Sequence, residues 1–263
     1  MDERQKAEIL HVLKHGTFEI EGLLPWSSNY AFLGRVCGLK AETAVTVEFP
    51  VVYKPRHGER PLWDFPQGSL CAREQAAFVV SEALSWEIVP PTVLRDAEHG
   101  IGSVQYFIEH DPERHYFTFE GDPDYADQLQ KIVLFDVIIN NADRKSGHVL
   151  IENVVSGMGG ETAVLVYPGR LWGIDHGICF HVDPKLRTVI WEFAGQPIPE
   201  QQMEALAVLH AQLNQTDTRI QRQLNSLLKH NEIAALALRL THLLQQGKFP
   251  NPGPGRHYPW PPV

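Results

Sequence analysis

The densest chemistry in this 263-residue sequence lies in the loop NNADRKSGH, residues 140–148, set between apolar runs at 132–139 and 149–151. It carries Asp143, then Lys145 two residues on, then His148 five residues on. A carboxylate can take a proton from a hydroxyl, an ammonium can neutralise charge on a moving phosphoryl group, and an imidazole can ligate a metal ion. Some thirty residues later the apolar stretch 171–174 ends in Asp175-His176-Gly177, which brings a second carboxylate to the edge of the same loop. Gly177 leaves the chain free to turn away at once. These residue types at these spacings point to phosphoryl transfer, where holding metal, phosphates and an acceptor hydroxyl in line supplies nearly all the catalysis.

Such a loop needs elements to carry it. Residues 3–14 place Ile9, Leu10 and Leu13 at helical spacing, with Gly16 as C-cap. A hairpin follows: one strand holds Phe18, Ile20, Leu23 and Leu24, Trp26-Ser27-Ser28-Asn29 form the turn, and Tyr30 to Leu33 begin the return. The β-branched alternation of 44–54 reads as a strand with Lys54 near its end. A lysine late in an apolar strand calls for anionic partners. A Pro- and Gly-rich loop (56–68) leads to Ser69 as N-cap and a helix over 70–86, which offers Glu74 and Glu82. A second hairpin, 92–94 with 103–108, turns at His99-Gly100, and the acidic, aromatic stretch 109–126 reads as a linker and loop. A helix over 127–139 enters the central loop, and strands over 148–153, 163–166 and 171–174 follow it. Three leucine-striped helical patterns fill the chain from Pro199 to Gln246 and should pack beneath the loop. The Pro-rich end cannot be helical and should run extended along the surface, pinned by Tyr258 and Trp260.

NADRKSGHVL followed by GIDHG resembles the catalytic and metal-binding loops of atypical kinases related to phosphatidylinositol 3-/4-kinases. That group includes HipA-like kinases and is marked by a DR-x-x-x-N loop ahead of an I-D-x-G strand end. YKP at 53–55, WDFPQGSLCAREQAAF at 63–78 and DHGICFHVDPKLRTVIWEFAG at 175–195 extend the resemblance, to an actinobacterial-type kinase-like family, from about residue 20 to about residue 195.

The resemblance implies an α+β, two-lobed protein-kinase-like fold. Residues 1–109 would form a small antiparallel-sheet lobe and 110–263 a mainly helical one. It implies ATP as phosphoryl donor with Mg2+ or Mn2+, and Asp143 and Lys145 as catalytic residues. His148 and Asp175 would be metal ligands, and Lys54 on the phosphates would be held by Glu74 in preference to Glu82. Ser27, Ser28 and Asn29 would stand in for a glycine-rich phosphate loop, and backbone groups of Gln105, Tyr106, Phe107 and Ile108 would read adenine. One position departs: the related kinases carry Asn where this chain has His148. Magnesium prefers oxygen donors and imidazole suits transition metals, so tolerance of manganese is expected.

The acceptor is a hydroxyl on a protein, lipid or small molecule. A nucleotide-binding pseudokinase and an AMP-transferring enzyme stay open as alternatives, and a binding protein without nucleotide is more distant. Net charge is −9 and no Lys/Arg run exceeds a pair, which argues against nucleic acid and anionic membrane surfaces as partners. No signal peptide and no membrane-length apolar run is expected. Three separated cysteines fit a reducing, cytoplasmic setting. His176, Cys179 and His181 alternate along a strand, which disfavours one zinc ion held by all three.

Overall fold

The computed structural model describes residues 1–24, 29–40, 45–152 and 167–263. Helix α1 (Glu3–His15) is capped by Asp2, whose carboxylate accepts from the Gln5 amide. Five antiparallel strands follow: β1 (Thr17–Leu23), β2 (Phe32–Leu39), β3 (Thr46–Pro55), β4 (Thr92–Ala97) and β5 (Gly100–Tyr106), ordered β1-β2-β3-β5-β4. Alternation along β3 sorts its side chains to two faces. Val51 and Tyr53 join Ile9, Val12, Leu13, Val36, Val93 and Val104 in an apolar cluster between α1 and the sheet. Lys54 is thereby turned to the opposite face.

Gly16 closes α1 as expected, but in extended backbone (φ −69°, ψ 163°), its N–H donating to the Val12 carbonyl. Space explains the glycine, because a Cβ there would lie 2.5 Å from the carbonyl oxygen of Cys37.

Helix α2 (Leu70–Ala83) stops three residues short of the expected end, where Ser85 and Glu87 take positive φ and turn the chain. Ser69 does not cap it. Its backbone is helical and its hydroxyl donates to the Pro66 carbonyl. Instead the Glu59 carboxylate accepts from the amides of Leu70 (3.0 Å) and Cys71 (2.8 Å), satisfying two donors at the positive end of the helix dipole.

The rest of the chain is mainly helical: α3 (Ala126–Ile139), the hairpin β6 (Val149–Glu152) and β7 (Arg170–Gly173), then α4 (Glu200–Asn214), α5 (Arg219–Asn225) and α6 (His230–Gln246). Their apolar faces, with part of α2, make the larger core. The stretch read as a linker belongs to that core, since Tyr116, Phe119 and Tyr125 are buried in it on two short 3-10 turns. The strand expected at 163–166 lies outside the described residues. The C-terminal segment is non-helical, but its expected anchors are the exposed residues, Tyr258 at 45 % and Trp260 at 77 %. Phe249 and Pro259 are the buried ones.

Helix α2 touches both parts of the molecule. The Arg73 side chain is buried, pairs with Glu232 in the first turn of α6, and donates to the Cys179 carbonyl at 2.6 Å. It also lies over the Phe65 ring at 4.9 Å, and Asp64 beside that ring pairs with Lys185 at 2.7 Å. Among the described residues no helix is long and apolar enough to cross a membrane.

Candidate active site

The 140–148 loop is shaped by charge buried within it. Helix α3 ends at Asn140 in left-handed backbone (φ 54°). The Asn140 side chain then clamps a distant loop, donating to the carbonyls of His181 and Asp183 and accepting from the Lys185 amide. Asn141 donates to Asp136 and accepts from the Asp143 amide.

Arg144 is the hub, with no exposed side-chain surface. Its guanidinium grips both Asp136 oxygens at 2.9 and 2.8 Å, a bidentate pair. It also donates to the carbonyls of His148 (3.0 Å) and Ile174 (2.9 Å) and to His176 Nε2 (2.7 Å). One buried cation therefore ties the loop to the stretch that carries Asp175.

Asp143, His148 and Asp175 converge, each offering a ligand atom within 4.8 Å of the others, and they form the single such grouping found among the described residues. His148 Nδ1 lies 2.9 Å from the Asp143 carbonyl, which can only accept, so Nδ1 carries the proton and Nε2 keeps its lone pair. Nε2 sits 3.4 Å from Asp175 Oδ2. Burial pushes the His148 pKa down to about 4, only partly offset by the Asp175 charge. The imidazole is thus neutral and ready to ligate at neutral pH. Two carboxylates and one imidazole nitrogen suit a divalent ion that accepts mixed oxygen and nitrogen donors. His176, Cys179 and His181 do not converge. His176 is taken by Arg144, and His181 lies against Phe65 and the Asp64 carbonyl.

Lys54 Nζ reaches Glu74 at 2.5 Å and Asp175 at 2.9 Å. Glu74 uses its other oxygen to accept from the His176 amide at 2.9 Å, so it spans from β3 to the residue after Asp175. Glu82 faces elsewhere and pairs with Lys6 at 2.8 Å. Burial would lower the Lys54 pKa, but the Asp175 and Glu74 charges outweigh it and raise it. The Lys54 charge in turn holds Asp175 well below the usual carboxylate range. Asp175 has positive φ (61°) and keeps 47 % of its side chain exposed, so it stays open to a ligand in the cleft. Asp143 differs: burial raises its pKa to about 6, opposed by Lys145, whose Nζ is 3.8 Å away.

The cleft between sheet and helical part is lined by Lys54, Glu74, Asp143, Asp175 and also Asn29 with Tyr30. Ser27 and Ser28 lie outside the described residues. Gln105 sits inside β5 and its side chain donates to Thr92 Oγ1. The amides of Tyr106 and Phe107 donate to the carbonyls of Pro91 and Pro50. Ile108 packs with Leu150 and Trp172 where β5 passes into the helical part.

Asp136, Asn140, Asn141 and Arg144 were not singled out by the sequence reading. The available signal was Asp136 itself, a lone charge in the apolar run of α3 that had to find a cation.

A five-stranded antiparallel sheet with one cross-braced helix, stacked on a helical part that carries the acidic loop, defines the atypical kinase class of α+β folds. Comparisons agree. The kinase CtkA of Helicobacter pylori, described as proinflammatory, superposes with a TM-score of 0.50 at 10% identity, over 90% of this chain and 94% of that one, a likeness of fold. Protein Rv2133c of Mycobacterium tuberculosis is 35% identical over 95% of this chain and 94% of its own length. Phosphatidylinositol 4-kinase gamma 5 of Arabidopsis thaliana is 28% identical over 52% of this chain, which matches 24% of that longer protein. The family model for phosphatidylinositol 3- and 4-kinase matches residues 90–232. The chain belongs to the phosphatidylinositol 3- and 4-kinase family.

Proposed function

We propose that the protein transfers the γ-phosphoryl group of ATP to a hydroxyl of an acceptor. The observation that carries this reading is the meeting of Asp143, His148 and Asp175 beside the Lys54–Glu74 pair. Lys54, fixed by Glu74, holds the α- and β-phosphates. His148 Nε2 and Asp175 hold the divalent ion, which supplies charge neutralisation at the phosphates. The base lies against the 105–108 segment, where Ile108 meets Leu150 and Trp172. Asn29 at the rim of the cleft faces the phosphate end. The first 109 residues serve as the nucleotide lobe and the remainder as the catalytic lobe.

Asp143 orients the acceptor hydroxyl and takes its proton. A bond forms from that oxygen to the γ-phosphorus, the bond to the ADP oxygen breaks, and Lys145 neutralises charge on the moving group. The test is incubation with γ-labelled ATP and Mg2+ or Mn2+, beside Asp143→Ala and Asp175→Ala. Label transfer or ADP release lost in both variants supports the reading. Release of pyrophosphate indicates AMP transfer instead, and absence of nucleotide binding with either metal overturns the proposal.

A further inference from the structure

The chain beyond α6 is held in three different ways. Phe249 is buried, and its amide and carbonyl are bonded to Gln196 (2.9 Å) and Gly195 (3.0 Å). Residues 251–256 are exposed, a Cβ at Gly253 or Gly255 would touch nothing, and Gly255 turns the chain at φ 105°. The chain then comes back onto the body. The Thr188 amide donates to the His257 carbonyl (3.1 Å) and the Ser146 amide to the Pro262 carbonyl (2.8 Å). Between those two bonds Pro259 is buried, and the His257 ring stands edge-on to Trp191 with centroids 5.9 Å apart.

The ground under this segment is built without it. The Arg187 amide donates to the Asn141 carbonyl (2.9 Å), and the Arg144 and Val189 amides donate to the carbonyls of Arg187 (3.0 Å) and Arg144 (3.1 Å). Residues 187–189 are thereby fixed beside the 140–148 loop. The segment also fits that ground incompletely. Its prolines at 259, 261 and 262 have no amide to offer, so the bonds it makes there are bonds it accepts. Among the described residues, the hydroxyl of Ser146 and Nε1 of Trp191 are buried without a hydrogen-bond partner. Buried donors ordinarily find an acceptor. Each residue with an unmet donor is thus one that the segment already touches.

We propose that Ser146, Thr188 and Trp191 form a docking groove for an extended peptide rich in hydrogen-bond acceptors. Residues 257–262 are a displaceable strap that fills the groove until such a segment of a partner protein takes its place. The tether of the strap is exposed and jointed by glycine, and an incoming chain can satisfy donors that the strap leaves unmet. Ser146 follows Lys145, so whatever fills the groove lies against the loop that carries Asp143. A bearing on catalysis rests on the phosphotransferase reading; the groove itself is tested without turnover.

The probe is a fluorescent synthetic peptide of residues 256–263, RHYPWPPV, titrated by anisotropy into the full chain as wild type, Pro259→Gly and Pro259→Asp. The tethered strap competes with free peptide at an effective concentration on the order of millimolar, so the wild type should bind the peptide weakly. Pro259→Asp places a charge at the buried position and should release the strap, tightening peptide binding by about tenfold or more, with Pro259→Gly between. ADP affinity, titrated separately, should be unchanged, and its loss in the wild type would sink the nucleotide reading while leaving the groove standing. Hydrogen exchange of the wild type is the second measurement. The Ser146 and Thr188 amides should exchange at least about tenfold faster than those of Arg144 and Val189, since only the first two are covered by the strap. Should Pro259→Asp fail to fold, this comparison decides alone. Peptide binding equal in all three proteins or absent from all, or equal protection of the four amides, overturns the proposal.

Discussion

Replacing Arg144 by Ala should be among the most damaging single changes outside the cleft. Arg144 and Asp136 are a fully buried ion pair, both with no exposed side-chain surface. Without the guanidinium, Asp136 keeps one side-chain donor, Asn141 Nδ2 at 2.9 Å, the Ile174 carbonyl loses its donor, and the His148 carbonyl keeps only the Ile174 amide. Breaking a buried pair from one side costs about 3–5 kcal/mol, because an uncompensated charge stays behind. For a chain of this size each kcal/mol is worth about 2–4 °C, so the melting temperature should fall by roughly 6–20 °C. The assay is urea and thermal unfolding of wild type, Arg144→Ala, Asp136→Leu and the Asp136→Leu/Arg144→Met double variant. The double variant removes both charges and should lose far less than the two single losses added together. It should still transfer phosphoryl poorly, since the loop and the Asp175 stretch would then be joined only by backbone bonds, from the Ile174 amide to the His148 carbonyl and from the Ala142 amide to the Ile178 carbonyl. A loss below about 1 kcal/mol for Arg144→Ala, or strict additivity in the cycle, would refute the assignment of Arg144 as the electrostatic hub.

Metal binding should release protons through Asp143 alone, because His148 is already neutral and Asp175 already ionised at neutral pH. With the Asp143 pKa near 6, Mn2+ titrations in buffers of different ionisation enthalpy should report release close to pH 6 and little above pH 7.5, with affinity falling on acidification. Release that persists unchanged at high pH would contradict this. His148→Asn replaces a nitrogen donor by oxygen and should shift the metal preference toward Mg2+. Strict Mg2+ dependence in both proteins would remove the manganese argument. Glu74→Gln leaves Lys54 with Asp175 as its one charged partner and should weaken ATP binding by about tenfold, read by nucleotide titration. Unchanged affinity would show that Asp175 alone positions the lysine.

Asp143, Lys145, His148 and Asp175 were legible because polar residues mounted between apolar runs have few other reasons to be there, and their spacing matched a known chemistry. The sheet and α3 were legible from period and β-branching. What escaped notice depends on partners far away in sequence. Glu59 caps α2 eleven and twelve residues ahead of the amides it serves, where a local rule pointed to Ser69. Arg144 stood between two residues already chosen for chemistry, yet its partners come from α3 and from the Asp175 stretch. The C-terminal segment was judged by its large aromatics, but it docks through the carbonyls of His257 and Pro262, which side-chain identity does not encode. In the 109–126 stretch, which joins β5 to α3 with only two 3-10 turns, burial escaped notice for a related reason: charged residues set its average character, while Tyr116, Phe119 and Tyr125 decide where it lies.

Adjacent residues of α2 anchor opposite halves of the molecule. Glu74 holds the β3 lysine, and Arg73 is sunk against Glu232 and the Cys179 carbonyl. A helix free on one side could roll outward and uncouple the lysine as a reversible lever. Here the same roll would drag a buried guanidinium out of its socket and strand Glu232, a cost on the scale of a large share of a domain's whole stability. The protein therefore rests with its Lys54–Glu74 ion pair already set, like a latch manufactured closed.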